Sequence, residues 1–329
     1  MPGGSDRSGR EYAEALRIVL GELPNLPHVP ELPGRGATAT MTGRALALVA
    51  GLSFDLQPAG WRLTDAAGVD QRRARSLLAQ DLDQVEEQTQ GYAGAFKTQL
   101  CGPWTLAATV ERPRGDKVLA DHGARRELAQ ALADGVGGHV ADLRRRLPGV
   151  GRLVVQVDEP ALPAVLRAEV PTASGFGRHR SVDVPEASGH LEWVLAAIAA
   201  AGAEPWVHSC AAGVPWATLV GAGAVGLSAD LSMLGAGDLD AMAEALESGH
   251  TVALGVVPTL DPWPDGPAVT SSGLTERVLR WLDMLGLDPA EVGGRLVLTP
   301  ACGLAGASAE WSRMALGLAR DAASNLRAG

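Results

Sequence analysis

His208, Cys210, Asp230 and Cys302 are the residues of this sequence best placed to do chemistry, because each stands where a short apolar run gives way to a turn. The runs are PWVHSC (205–210), AVGLSAD (224–230) and LVLTPAC (296–302). One imidazole, two thiols and one carboxylate leaving the same edge of a parallel sheet make a tetrahedral zinc set. His and Cys at i and i+2 of an extended strand end point to the same side. Zinc held by two thiolates, an imidazole and a weaker oxygen can exchange that oxygen for an incoming thiol, kept deprotonated and nucleophilic at neutral pH. The chemistry implied is alkyl transfer to a thiol. Taken singly, each residue has a plainer explanation, since cysteine is among the most buried residue types and a lone histidine often only packs. Their recurrence at the same place in successive strand–helix units favours the metal.

Two other strand ends carry acids. VVQVDEPAL (154–162) is an apolar run followed by Asp158 and Glu159, with Pro160 where a turn or helix can start. Adjacent side chains on extended backbone point apart, so one of the pair faces the site, and alternation from Gln156 selects Asp158. The other then makes a structural bond, and both are carried as candidates for binding substrate. Helix N-capping is the plainer role for Asp158. Glu31, in VPELP (29–33), is stiffened by prolines on either side and is either a held pocket acid or a surface loop acid. Trp263 lies in the proline-rich loop 261–267 that would overhang such a site, where its face could stack on a flat donor. Cys101 reads as buried and inert.

Apolar strand-length runs alternate with stretches of helical period, the pattern of βα units around a parallel sheet. Strands are expected at 28–32, 96–100, 152–157, 205–208, 224–228, 251–256 and 296–298, with a further short extended piece at 56–63. Helices are expected at 11–23, 39–51, 69–92, 120–147, 191–201, 238–248, 275–285 and 309–327. Seven strands without a break in composition predict one α/β domain over residues 1–329, a (β/α)8 TIM barrel with one strand unaccounted for. A doubly wound open sheet is the second choice. The 329 residues are 46% hydrophobic with a formal net charge of −10, which gives no reason to expect nucleic acid or an anionic membrane as partner. Three cysteines argue against a disulfide framework and fit a reducing cytoplasm. No apolar run reaches membrane-spanning length, and no signal-peptide pattern opens the chain.

Together, Val207-His208-Ser209-Cys210, the LSAD ending at Asp230, Pro300-Ala301-Cys302-Gly303-Leu304 and Gln156-Val157-Asp158-Glu159-Pro160-Ala161-Leu162 resemble the zinc-bearing C-terminal barrel of cobalamin-independent methionine synthase. KTQLCGPWT (97–105) is similar to that family's strand and GPxT turn. The family shares a barrel superfamily with uroporphyrinogen decarboxylase and with zinc enzymes that alkylate coenzyme M. The resemblance implies zinc on His208, Cys210 and Cys302, with Asp230 standing where the family has Glu. It also implies that Asp158 and Glu31 bind the amino group of a thiol such as homocysteine, whose methylation gives methionine.

Three departures accompany the resemblance. The family's N-terminal barrel is not matched within these 329 residues, which predicts a single-barrel relative. The turn in which the family places an acid histidine reads Val257-Pro258-Thr259-Leu260-Asp261-Pro262, so Leu260 takes the histidine's place. Methyl-folate needs protonation before its nitrogen can leave; the loss therefore predicts methylcobalamin, free or on a corrinoid protein, as donor, with folate second. Asp261 is the one substitute acid, provided burial raises its pKa. Finally, Met1-Pro2-Gly3-Gly4-Ser5 looks like the end of the family's turn after its first strand, which makes that strand the missing one; the piece at 56–63 is the alternative filler. Competing functions are an alkyltransferase for another thiol, such as a coenzyme M type acceptor, and a non-catalytic ligand-binding barrel with structural zinc.

Overall fold

The alternating pattern folds as a curled half barrel. The computed structural model describes residues 4–66 and 68–328. A hairpin of β1 (Ser53–Gln57) and β2 (Gly60–Thr64) stands apart from the main sheet. The main sheet comprises β3 (Ala95–Cys101), β4 (Arg152–Asp158), β5 (Glu204–Ser209), β6 (Gly226–Asp230), β7 (Thr251–Val257) and β8 (Leu296–Pro300). These six strands are parallel and neighbour one another in chain order. A doubly wound sheet reverses its order at a switch point, so the sequential order excludes that choice.

The expected strand at 28–32 is reduced to one bridge, His28 beside Lys97, with Lys97 N–H donating to Pro27 O and Val29 N–H to Lys97 O. Pro27, Pro30 and Pro33 leave too few N–H groups there for a longer ladder. The piece at 56–63 does not fill the barrel, because it is the turn and inner halves of the β1–β2 hairpin. Of the 1–5 stretch, Gly4 and Ser5 open the helix Gly4–Glu22 rather than ending a turn, and residues 1–3 lie outside the described residues.

Helices pack outside the sheet, and three of them begin at a side chain that satisfies a free N–H group. Asp121 accepts from Ala124 N–H at the start of His122–Arg146, Thr40 from Gly43 N–H at Met41–Leu48, and Thr270 from Gly273 N–H at Ser271–Leu285. Between them and the sheet lie Phe96, Leu100, Trp104, Val155, Val207, Leu254 and Trp281, all buried. β4 is buried along nearly its whole length, as befits a Val-rich parallel strand covered on both faces. Inside the curl, Val154, Trp206 and Ala253 form a small apolar floor. No helix among the described residues is long and apolar enough to cross a membrane.

Candidate metal centre and substrate pocket

Register sets the site. Asp158 on β4, His208 on β5 and Ser228 on β6 are direct partners across the sheet, so their side chains share one level and one face at its carboxyl edge. Cys210 follows the last residue of β5, and Cys302 follows β8. The β7–β8 pairing shifts between Gly255 and Val257, and a Cβ on Gly255 would lie 2.5 Å from the Ala301 Cα. Only glycine there lets the chain carrying Cys302 close over the strand.

His208, Cys210 and Cys302 offer one donor atom each, all within 4.8 Å of one another. His208 Nδ1 lies 3.0 Å from Ser228 Oγ and 3.2 Å from Ser228 O, an arrangement that places the ring proton on Nδ1 and leaves Nε2 for a ligand. The two sulfurs are 3.1 Å apart. Tetrahedral thiolates about 2.3 Å from zinc would sit about 3.8 Å apart, so a small opening of the pair seats the ion. The sulfur contact and burial push the Cys210 thiol up, while the contact with Cys210, joined by His208, pulls Cys302 down to about 4. Burial opposes charge on His208, but Cys302 and Asp158 outweigh it and hold the imidazole above its usual value. Soft thiolates with an imidazole fit zinc, and Cys302 is exposed, so the cluster is open to solvent.

Asp230 is not drawn into the cluster. Its Oδ1 accepts from Ser232 N–H at 2.8 Å and from Ser232 Oγ at 2.7 Å, because a short Asp side chain readily turns back on its own backbone.

Asp158 and Glu31 face the same interior space. Asp158 is 8% exposed and accepts from Gln156 Nε2 at 2.6 Å. Burial raises its pKa against the pull of His208 and Lys97. Glu31 is also raised by burial, with Arg44 opposing and the Asp158 charge adding. Arg44 Nε stands 3.3 Å from Glu31 and its Nη1 donates to Asp81 at 2.8 Å; Arg35 grips Asp81 with two further bonds of 2.8 and 2.7 Å. Asp81 thus holds the guanidinium that holds Glu31.

Glu159 points the other way. It is fully buried and accepts from Trp104 N–H (2.8 Å), Thr105 N–H (2.8 Å) and Thr105 Oγ (2.6 Å) at the start of the helix Pro103–Thr109. A Cβ on Gly102 would come 2.4 Å from its carboxylate. Glu159 therefore fastens the GPWT turn and does not face the pocket, as the pleat requires of the neighbour of Asp158. Asp261 differs from the expected acid. It is exposed, and Ser308 Oγ and N–H at 2.5 and 2.8 Å hold its carboxyl below the usual range, so it keeps no proton to give. Leu260 and Trp263 are exposed, Trp263 to 87%. Cys101 is buried, as expected. Ser228 escaped the sequence reading although alternation from Asp230 points to it; Gln156 marked the inner face of its strand there but was given no role; Arg44 and Asp81 gave no local signal.

The protein-family model described as "Cobalamin-independent synthase, Catalytic domain" matches residues 86–325. That description gives no support to a methylcobalamin donor or a corrinoid protein partner, and the expectation of either is withdrawn. Among solved structures, a B12-independent methionine synthase from Shewanella sp. W3-18-1, in complex with selenomethionine, is similar in fold. It has a TM-score of 0.61 at 15% identity, covering 96% of this chain and 88% of that one. Comparison with curated protein sequences gave no match. With its family match spanning β3 to the last helix and every close-set metal donor inside it, the chain belongs to the cobalamin-independent synthase catalytic-domain family and is a methionine synthase-like methyltransferase.

Proposed function

We propose that this protein transfers a methyl group to the sulfur of an amino-acid thiol, homocysteine being the substrate that best fits the pocket. The observation carrying this reading is the pairing of an open His208–Cys210–Cys302 donor cluster with two interior acids, Asp158 and Glu31. His208, Cys210 and Cys302 would hold zinc, which supplies the Lewis acidity that keeps an incoming thiol deprotonated and nucleophilic. Asp230 would be the fourth ligand only after releasing Ser232. Asp158 and Glu31 receive the ammonium group, their burial strengthening the attraction and fixing the sulfur in line with the methyl carbon. Ser228 orients His208, and Arg44 keeps Glu31 in place. Trp263, in the loop after β7, is free to cover the donor.

In the transfer the sulfur–methyl bond forms as the bond from methyl to its leaving atom breaks, and the leaving atom keeps that electron pair. The family's cobalamin independence points to methyl-folate, whose leaving nitrogen must end protonated. With Leu260 in the turn and Asp261 held ionised, that proton comes from solvent rather than from this turn. The test is methionine formation from homocysteine and methyl-tetrahydrofolate by zinc-loaded protein in a corrinoid-free assay. Turnover lost in Cys210→Ser and Cys302→Ser is expected. Zinc that fails to bind would overturn the reading, and zinc that binds but ignores added thiol would replace it with a structural metal.

A further inference from the structure

Lys97 is a charged side chain inside the half barrel to which neither the metal donors nor the two acids assign a task. It sits in mid-β3, paired with Val154 on β4 and bridged to His28, on the face that also carries Gln99. Its Nζ lies 3.3 Å from Gln99 Oε1, and among the described residues that is its hydrogen-bond partner. Asp158 and Glu31 act on it through space without forming an ion pair, and its charge is felt in turn at His208. Lys97 therefore stands among the metal cluster and both acids. The other cations near Glu31 are committed, since Arg44 and Arg35 are both bound to Asp81. Gln99 cannot move freely beneath it, because its Nε2 is anchored on Val29 O at 2.8 Å.

An amino-acid thiol carries its ammonium and its carboxylate on the same carbon. An ammonium drawn between Glu31 and Asp158 brings the carboxylate into the field of the same two anions, and in a low-dielectric interior that repulsion cancels much of the gain unless a cation stands beside it. We propose that Lys97 binds the α-carboxylate of the substrate, and so selects α-amino-acid thiols over simple aminothiols. This rests on the reading of Asp158 and Glu31 as the ammonium site. With Lys97 in place the pocket presents one cation and two anions to a zwitterion, a pattern that neither a plain thiol nor a sulfonate thiol matches.

The test compares homocysteine with 3-mercaptopropylamine, the same molecule without its carboxylate. Both are titrated by calorimetry into zinc-loaded wild type, Lys97→Met and Lys97→Gln, with zinc content and Tm of each variant confirming an intact fold. The two neutral variants bind homocysteine about 10- to 100-fold more weakly, the range for losing one charge-assisted contact. They bind 3-mercaptopropylamine equally or more tightly, since the acids are no longer offset. An equal loss for both thiols, or no loss for homocysteine, overturns the assignment and leaves Lys97 as a partner of the acids alone. Wild type that binds 3-mercaptopropylamine while Lys97 proves indifferent would leave the ammonium site standing; wild type that binds neither thiol would overturn both.

Discussion

Replacing Ser228 by alanine tests the metal centre without touching a ligand. The change removes the hydroxyl 3.0 Å from His208 Nδ1 and leaves the Ser228 carbonyl oxygen at 3.2 Å. The ring proton can still be donated to that carbonyl, so the tautomer with a free Nε2 persists. What is lost is half of the hydrogen bonding that fixes the ring's angle. Removing an outer partner of a ligating histidine costs about 10- to 100-fold in metal affinity. With one of two acceptors retained, the expected loss lies near the low end, about 10-fold or about 1.4 kcal/mol. Competition for zinc against a chromophoric chelator at fixed pH measures it, with His208→Ala as the reference for complete loss of a ligand. Ser228 is buried and paired to β7 through Ala253, and alanine fits the same space, so the fold should survive. Unchanged zinc affinity would refute the claim that Ser228 orients His208. A loss as large as that of His208→Ala would equally refute it, because the residue would then be needed to build the site rather than to aim one ring.

Asp81→Asn should be costly although Asp81 lies on the helix Val69–Gln88, away from the sheet edge. It accepts three bonds from two arginines with side chains only 5% and 6% exposed, and breaking such a buried cluster from one side costs about 3–5 kcal/mol. Urea unfolding measures this, and a change below about 1 kcal/mol would show that the cluster is not holding the loop of Glu31. His139, 8% exposed, is held neutral by burial and by Arg44, which lower its pKa to about 4. The unfolded chain, with an ordinary histidine near 6.5, binds the proton first, so stability present above pH 6.5 is lost as pH falls towards 4, by roughly 3 kcal/mol at most. His139→Gln should flatten that part of the pH–stability curve measured between pH 7.5 and 4.5; an unaltered slope would place the acid sensitivity elsewhere.

The chemistry-bearing residues were legible wherever the signal was local. An apolar run ending in a polar turn marks the carboxyl end of a parallel strand, and two such ends, those of β5 and β8, supply the three donors that the structure brings within 4.8 Å. The long helices were legible for the same reason, although Gly4–Glu22 and Val184–Ala200 each begin seven residues ahead of the expected start; elsewhere the bounds differ by fewer residues, where capping rather than hydrophobic period decides. Asp121 and Thr270, for example, fix the starts of His122–Arg146 and Ser271–Leu285. The short helices Pro103–Thr109, Leu162–Leu166 and Trp216–Gly221 were not seen, since five to seven residues show no period. The strand expected at 28–32 failed because its apolar content is real but its prolines lack the donors a ladder needs. The turn after β7 shows a different limit. Leu260 was read from the sequence as a missing acid, and the structure adds that the neighbouring Asp261 spends its carboxylate on Ser308; neither residue type alone reveals which donor the protein accepts.

The dipeptide Asp158-Glu159 joins fold and site most directly. Both acids are buried at one strand end, yet the pleat sends them to opposite faces, and each face offers a different medium. Asp158 enters an interior furnished with Gln156, Lys97 and the His208 cluster, where its charge is answered by groups that can also meet a ligand. Glu159 enters the packed layer behind the sheet, where Trp104 and Thr105 supply three donors and Gly102 clears the space. Burial pushes Glu159 up to about 7 against those donors, the same dryness that raises Asp158. The Glu159 backbone N–H donates at 2.8 Å to the His208 carbonyl, so the lock behind the sheet also fixes the residue proposed as a metal donor. The conjunction of DEP with GPxT is therefore one mechanical unit, in which a stability contact on one face sets the position of the proposed binding acid on the other.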